Sequence, residues 1–133
     1  MSVYVTDTHS LIYYFTGQFG KLSRRARRVF EQADRCESFI YIPAVALWEV
    51  SRLVQLDVVD LNEPYETWVA ALLARPCFEC VPLDENQVIE ARKYIFNKDI
   101  YDSAIVATAK IKDVPLITTD QAITNSGRVE VFW

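Results

Sequence analysis

The stretch VYVTDTHSLIYYF, residues 3–15, joins a short apolar segment directly to a helical one. Residues 3–6 are all β-branched or aromatic, which favours a buried strand, and residues 8–15 predict a helix. Only Asp7 separates the two segments. The stretch therefore predicts a strand that ends at a carboxylate and is followed at once by a helix.

The same alternation of strands and helices continues along the chain. Further strands are predicted over residues 38–42, 78–83, 114–119 and 129–132. Further helices are predicted over residues 21–35, 44–55, 62–74, 85–95 and 97–110. Short apolar strands between helices indicate an α/β fold, in which a parallel sheet is covered by helices on both faces. With 133 residues and no repeat or linker, we expect a single domain over residues 1–133.

Side chains at the predicted helix starts support these boundaries. Ser23 and Asp84 are suitable N-caps, and Asp99 suits the N-cap of the helix in NKDIYDSAIVATAK, residues 97–110. Pro43 fits the first turn of the helix that follows it.

Composition and charge exclude several classes of protein. Apolar residues make up 51% of the chain, which is enough to form a core. The net charge of -4 gives no overall attraction for nucleic acid, so such binding needs a local basic patch. Because no apolar run has the length of a membrane span and the N-terminus lacks a signal-peptide pattern, we expect a cytoplasmic protein without membrane contact.

The three cysteines are Cys36, Cys77 and Cys80. An odd number favours a reducing compartment over a disulfide framework. The CxxC spacing of residues 77–80 precedes a predicted strand, whereas the redox motif opens a helix, and the single histidine, His9, is distant in sequence. We therefore expect ordinary packing of free thiols.

Four acidic residues stand out by their surroundings: Asp7, Glu49, Asp102 and Asp120. Asp7 and Asp120 each follow a predicted strand, and Glu49 and Asp102 lie near the starts of apolar helices. Sites in open α/β sheets form beyond the carboxyl ends of the strands, so all four are expected at one edge. Taken singly, Asp7 has the alternative role of a helix cap and Asp120 that of a turn residue.

Four converging carboxylates repel one another and raise one another's pKa values. A hard divalent cation such as Mg²⁺ or Mn²⁺ removes this conflict because it prefers oxygen ligands. A site without His or Cys ligands favours metal-assisted phosphate chemistry, in which the metal polarises a phosphoryl oxygen and activates a water. The four acids are therefore candidate metal ligands and catalytic residues.

Six motifs appear in order along nearly the whole chain: TDTHSLIYYF, KLSRRAR, ALWEV, DIYDSAIVATA, LITTD and VFW. This pattern resembles PIN-domain proteins, particularly VapC-type toxin ribonucleases of toxin–antitoxin systems. The resemblance implies a three-layer α/β/α sandwich around a mainly parallel five-stranded sheet. It also implies a Mg²⁺- or Mn²⁺-dependent endoribonuclease that uses a metal-activated water and leaves a 5′-phosphate and a 3′-hydroxyl. The acidic quartet of this family matches the four acids selected above.

The resemblance also bears on the neighbours of these acids. VapC-type proteins often carry Asp-Pro-x-Asp-Arg where this chain has residues 99–103, so the proline and the arginine are missing. Asp102 matches the metal-binding acid, and Asp99 becomes a cap or a residue behind the metal ligands. Thr119 and Thr6 precede Asp120 and Asp7 as hydroxyls often do in the family. For Thr8 a capping role is favoured, and His9 is expected to pack instead of acting as a general base.

Four arginines form the polar face of the second predicted helix: Arg24, Arg25, Arg27 and Arg28. They are either a solvated face or a local basic strip that holds RNA phosphates. The resemblance adds a third possibility, contact with a cognate antitoxin, and it implies a homodimer. Residues 13–15 and Trp48 are candidates for a binding groove, although core packing is favoured for most of them.

Two other functions are open to this sequence. A Mg²⁺-dependent phosphohydrolase of the haloacid dehalogenase type needs a second Asp two residues after Asp7, where this chain has His9. A non-catalytic PIN-like binding module would keep the fold without the chemistry, but a full acidic quartet without a metal would only destabilise it.

Overall fold

Five strands form one sheet in the computed structural model, which describes residues 1–96 and 98–133. The strands are β1 (Ser2–Thr6), β2 (Ser38–Pro43), β3 (Phe78–Val81), β4 (Leu116–Ile117) and β5 (Val131–Phe132). Their order is β3-β2-β1-β4-β5, and every pairing is parallel. Because β1 is central, Asp7 emerges from the middle of the carboxyl edge of the sheet.

Seven α-helices connect these strands within the described residues. They are α1 (Thr8–Phe15), α2 (Arg24–Asp34), α3 (Ala44–Gln55), α4 (Tyr65–Leu73), α5 (Glu85–Ala91), α6 (Ile100–Lys112) and α7 (Gln121–Ser126). In the part of the chain that the structure describes, no helix has the length and apolar character needed to cross a membrane.

Alternate side chains of the strands pack into two separate apolar cores. Ile40 of β2 packs with α1, α2 and α4 on one face, whereas Val5 of β1 packs with α6 on the other. Successive strand residues point to opposite faces, so strands that are apolar throughout can supply both cores. The predicted α/β fold, with a parallel five-stranded sheet between helical layers, is confirmed.

The predicted caps are present at three helix starts. Ser23 accepts a hydrogen bond from the backbone N–H of Ala26, and Asp84 accepts one from Gln87. Asp99 accepts two from the first turn of α6. Each such cap stabilises its helix by about 1 kcal/mol. Pro43 stands at the N-cap position of α3, one residue before the first turn predicted for it.

Several elements differ from the sequence-based boundaries: β4 covers only Leu116–Ile117 of the strand predicted over residues 114–119, and α4 begins at Tyr65 instead of residue 62. The helix predicted to residue 95 ends at Ala91, because Tyr94 and Phe96 are buried in the core beside α6. A short 3-10 turn at Phe19–Lys21 and helix α7 were not predicted. Asn97, the first residue of the stretch that contains α6, lies outside the described residues.

The expectation of three free cysteines was wrong. Cys36 and Cys77 form a disulfide with their Cα atoms 5.4 Å apart, and Cys80 is free. Pairing of β2 with β3 brings the two together, because the N–H of Ile40 bonds to the carbonyl of Cys77. Cys36 has φ 56°, a left-handed conformation in which glycine usually ends a helix.

The disulfide is expected to stabilise the fold substantially. It closes a loop across 41 residues, for which loop-closure entropy gives about 4 kcal/mol. We expect Cys36→Ser to lower the free energy of unfolding in urea by an amount of that order, and reduction of the wild type to do the same. Cys80→Ser is the matched control and should change it little. If Cys36→Ser and Cys80→Ser unfold alike under oxidising conditions, the cross-link has no role in stability.

Candidate functional site

The end of β1 and the segment after β4 place two of the four acids side by side. Asp7 follows β1 and Asp120 follows β4, and these strands are neighbours paired through Thr6 and Ile117. The N–H of Asp7 bonds to the carbonyl of Ile117 at 3.1 Å. The parallel pairing therefore brings these two acids from distant parts of the sequence to the same edge of the sheet.

The other two acids reach this edge on helices. Asp102 lies in the first turn of α6 and Glu49 in the second turn of α3. Both helices begin near the carboxyl edge, since α3 follows β2 directly and α6 leads back towards β4. The structure thus places all four predicted acids in one electrostatically coupled group.

Burial and mutual repulsion act on the carboxyl groups of this group. Desolvation, with the nearby charges of Asp99 and then Asp120, raises the pKa of Asp102 from 3.8 to about 7. Glu49 and Asp7 add smaller contributions of the same sign. Burial also raises the pKa of Asp7, which is 8% exposed, and of Glu49. The site is therefore one where carboxylates are costly to ionise without a cation.

Hydrogen bonds hold two of the carboxylates and leave oxygens available. One oxygen of Asp7 caps α1 through the N–H of Ser10 at 2.9 Å, and one oxygen of Asp120 caps α7 through Ile123 at 2.9 Å. No group among the described residues donates a hydrogen bond to the carboxylate of Asp102, and this residue is partly exposed. The capping role that the sequence analysis weighed as an alternative for Asp7 is therefore present.

Thr118 is a residue that the sequence analysis missed. Its hydroxyl accepts a hydrogen bond from the N–H of Asp120 at 3.0 Å and also lowers the pKa of Asp7. It is fully buried, whereas the expected Thr119 is exposed. Thr6 donates its hydroxyl hydrogen to the backbone carbonyl of Asp7 at 2.9 Å. Thr118 therefore links the two strand-end acids, and Thr6 braces the backbone of one of them.

The residues next to these acids have different roles. Asp99 caps α6, and its charge raises the pKa values of Asp102 and Glu49. His9 is exposed at the mouth of the site and its charge lowers the pKa values of Asp7 and Glu49, although burial still dominates both. Thr8 is not the cap of α1: its hydroxyl oxygen is buried and has no hydrogen bond of normal geometry.

The oxygen atoms at the site are of the type that a hard divalent cation prefers, although the carboxylates do not converge on one point. Within residues 1–96 and 98–133, no three His, Cys, Asp or Glu side chains are close enough to share one ion. The available donors near the site are carboxylate and hydroxyl oxygens, including the buried Thr8 hydroxyl, which lowers the pKa of Glu49. Such oxygens are the ligands that Mg²⁺ and Mn²⁺ prefer, and these ions keep several waters of their own.

The four predicted arginines all lie on the exposed face of α2, but their surroundings differ. Arg25 stacks on the ring of Phe132 at 4.5 Å, and Arg27 pairs with Glu31 at 2.6 Å. Arg24 and Arg28 form no ion pair in the described part of the chain and line a polar groove with Arg27 and Glu31. Phe132 belongs to β5, which pairs with β4, the strand before Asp120. The end of α2 that carries Arg25 therefore lies towards the same edge of the sheet as Asp120.

The raised pKa of Asp102 predicts a specific pH dependence of stability. A folded pKa of about 7, above the ordinary 3.8, means that the cost of ionising Asp102 grows as pH rises between these values. Without divalent cations, Asp102→Asn should raise the melting temperature at high pH and change it little near pH 4. The gain should be about 1–2 kcal/mol, because partial exposure screens the charges. An equal effect at both ends of a pH series of melting curves would contradict the assignment.

Solved structures of similar fold include members of toxin–antitoxin systems. A DNA-bound VapBC from Salmonella typhimurium matches with a TM-score of 0.69 at 14% identity, over 99% of this chain and 98% of that chain. FitAcB from Neisseria gonorrhoeae matches with a TM-score of 0.62 at 18% identity, over 98% and 96%. VapBC-5, from the VapBC family of toxin–antitoxin systems of Mycobacterium tuberculosis, matches with a TM-score of 0.58 at 16% identity, over 99% and 98%. At these identities the similarity shows the fold alone.

Comparison of the sequence itself gives the family. No curated protein matches the chain. A model of the PIN domain, in contrast, matches residues 4–128, which include the four acids, Thr118 and the arginines of α2. The resemblance drawn from the sequence motifs is confirmed at this level, and the chain belongs to the PIN domain family.

Proposed function

We propose that this PIN domain is a Mg²⁺- or Mn²⁺-dependent endoribonuclease and the toxin of a type II toxin–antitoxin pair. The observation that carries the proposal is the gathering of the four acids at one edge of the sheet, where burial, then the charge of Asp99 and then those of the other three acids raise the pKa of Asp102 to about 7. Carboxylates gathered from separate elements at the carboxyl edge of a sheet, with raised pKa values at Asp7, Glu49 and Asp102, are typical of a functional site.

The proposed ligands are Asp7, Glu49, Asp102 and Asp120. The caps leave one carboxylate oxygen free on Asp7 and one on Asp120, and Asp102 is partly open to solvent. A bound divalent cation supplies charge neutralisation, polarises the phosphodiester and lowers the pKa of water.

The chain's own residues make the remaining contributions to the proposed hydrolysis. Thr118 and Thr6 hold the strand-end acids in place, so that little reorganisation accompanies the reaction. Hydrolysis joins the oxygen of a water to phosphorus and breaks the bond to the 3′-oxygen, which gives a 5′-phosphate and a 3′-hydroxyl. The net negative charge of the acids would repel a phosphate unless cations are present nearby.

Arg24 and Arg28 are proposed as such cations. They are exposed on α2 towards the edge that holds Asp120, and neither forms an ion pair among the described residues. Contacts of arginine with phosphate position a nucleic acid without reading its sequence. The arginines therefore offer a local basic strip on a protein whose net charge is -4.

Two partners are proposed besides RNA. A cognate antitoxin is supported by solved structures of similar fold, which include a toxin–antitoxin complex from Klebsiella pneumoniae and VapBC-5, a member of the VapBC family of toxin–antitoxin systems. We propose that toxin and antitoxin meet in the cytoplasm, where the RNA substrate is found. A homodimer stays a prediction from the VapC-type resemblance, and light scattering of the purified chain would test it.

The alternative functions give different results in one cleavage experiment. Wild type should cut a mixed structured RNA with Mg²⁺ or Mn²⁺, and EDTA should stop it. Asp7→Asn and Asp102→Asn should each lower the rate at least about 100-fold, as loss of electrostatic machinery typically does. Both changes are nearly isosteric and relieve repulsion, so the variants should stay folded.

Asp84→Asn is the matched control for this experiment. Asp84 also caps a helix, α5, but its charge is not among those acting on Asp102. It should keep full activity with a small loss of stability. Cleavage that survives both site substitutions would exclude this site, and a folded wild type that binds RNA but cuts none would favour the binding module. Hydrolysis of small phosphomonoesters instead of RNA would favour the phosphohydrolase.

A further inference from the structure

The disulfide between Cys36 and Cys77 lies beside an ion pair that joins the same two segments of the chain. Asp34, two residues before Cys36, pairs with Arg75, two residues before Cys77. Both bridges tie the C-terminal end of α2 to the segment that leads into β3. The end of α1 meets them there, because the hydroxyl of Tyr14 donates a hydrogen bond to Asp34 at 2.5 Å. These contacts, which we call the α2–β3 joint, therefore hold three elements together at one place.

Apart from the disulfide, the α2–β3 joint is held by contacts that water reaches. The side chains of Asp34 and Arg75 are 28% and 43% exposed, and ion pairs so open to solvent add little to stability. Arg75 also lies over the ring of Phe15 at 4.9 Å, a contact that is weak at exposed sites. Cys36 has φ 56°, a backbone conformation that disfavours any residue with a side chain. The closed joint therefore depends on its covalent bond.

One side of the disulfide is open to a reducing thiol. Cys36 is exposed, whereas Cys77 is buried, so a thiolate that approaches from solvent meets Cys36 first. Exposed disulfides are the ones that cellular thiols reduce and that serve regulation. In a reducing compartment, such as the cytoplasm proposed above, the disulfides that do form are mostly transient or redox-sensing.

The third cysteine does not offer Cys77 a second partner. Cys80 lies three residues further along the chain, in β3, and extended chain separates such residues by about 10 Å. A disulfide needs Cα atoms within about 7 Å of each other. Burial also raises the pKa of the Cys80 thiol, so that little of it is the reactive thiolate. Reduction and reoxidation of the disulfide therefore connect two defined states.

The α2–β3 joint belongs to one of the two apolar cores. Tyr14 and Ala33, from the ends of α1 and α2, pack in the core that also contains Phe78 of β3. Helix α6 packs in the other core, on the opposite face of the sheet. Opening of the joint is therefore expected to loosen one helical layer and to leave the layer of α6 in place.

We propose that this disulfide is a reversible redox switch. In the oxidised chain the α2–β3 joint is closed, and reduction by a cellular dithiol opens the C-terminal end of α2 to solvent and to proteases. Since proteolysis follows the population of the open form, the redox state of the surroundings sets the lifetime of the chain. The source of the reductant rests on the proposed cytoplasmic location, whereas the switch itself is independent of ribonuclease activity.

The redox step is an ordinary thiol–disulfide exchange. A thiolate of the dithiol attacks the sulfur of Cys36, the S–S bond breaks, and Cys77 leaves as a thiolate that takes up a proton. The second thiol of the reductant, as a thiolate, then attacks the mixed disulfide and releases Cys36, which also takes up a proton. Two electrons and two protons pass to the protein, and the dithiol becomes a cyclic disulfide.

Hydrogen exchange followed by mass spectrometry tests the switch on the unaltered full chain. The oxidised chain, the chain reduced with dithiothreitol, and the chain reoxidised after the dithiothreitol is removed are compared without denaturant. Reduction should speed exchange at the C-terminal end of α2 about 10- to 1000-fold, the upper value being the full loop-closure effect of the cross-link. Exchange in α6 should stay the same, and reoxidation should restore the slow exchange of α2.

Limited digestion with trypsin gives a second readout of the same opening. Arg35 is exposed and adjoins Cys36, so it offers a cleavage site within the joint. The reduced chain should be cut after Arg35 at least about 10-fold faster than the oxidised chain, because the protease needs the locally opened form. Fragments are identified by mass spectrometry, and cleavage within α6 should not change.

Cys80→Ser is the matched control and should respond to dithiothreitol as wild type does. Cys36→Ser should exchange at the end of α2 as the reduced wild type does, with or without dithiothreitol. If Cys36→Ser does not fold, the comparison of oxidised, reduced and reoxidised wild type decides the question by itself.

Three results would overturn the switch. The first is a disulfide that dithiothreitol reduces only in denaturant, and the second is unchanged exchange at the end of α2 after complete reduction. The third is equal acceleration in α2 and α6, because the disulfide would then hold the whole fold instead of one joint. None of these readouts needs RNA cleavage, so the failure of the switch and that of the proposed nuclease can be told apart.

Discussion

Burial of a carboxylate at the end of the central strand is the constraint on which the site depends. Asp7 is 8% exposed, and the desolvation it suffers raises its pKa. Hydrogen bonds from Ser10 offset part of this cost, and the Thr118 hydroxyl also favours the charged form of Asp7. A buried carboxylate held in this way is ready to act as a ligand, but its charge is only partly balanced.

Three more acids lie at the same edge of the sheet, and they add to the negative charge that is not balanced there. At Asp102, in the first turn of α6, burial and then the charges of the neighbouring carboxylates raise the pKa to about 7. A fold selected for stability alone would not keep such an arrangement, because neutral side chains of the same size would remove the repulsion. Under the proposed function this repulsion is the cost of a cation site, and the two apolar cores and the disulfide provide the stability that offsets it.

The sequence predicts the parts of this arrangement that depend on local pattern. The apolar strand 3–6, the helix after it and the caps Ser23, Asp84 and Asp99 follow from side-chain type and spacing, and the structure confirms them. The four acids could be selected because their neighbours are apolar, and parallel topology then implies a shared edge. Their roles as ligands stay a prediction.

What the sequence could not predict depends on distance in space. Thr118 and Thr119 are adjacent and identical in type, and only the strand register shows which one turns inward. The disulfide needs the pairing of β2 with β3, which spacing in the sequence does not reveal. Trp48 is a candidate for a binding groove from the sequence and is indeed exposed, but the sequence does not show which elements form the groove that it lines.

Proton release on Mg²⁺ binding tests the central claim most directly. If Asp102 holds a proton near pH 7 and the acids together bind the ion, binding must expel that proton. Calorimetry near pH 6.5 in two buffers of different ionisation enthalpy should show net proton release by wild type, less release at about pH 8.5, and clearly less with Asp102→Asn. Binding without proton release, or with the same release and affinity in Asp102→Asn, would contradict the account.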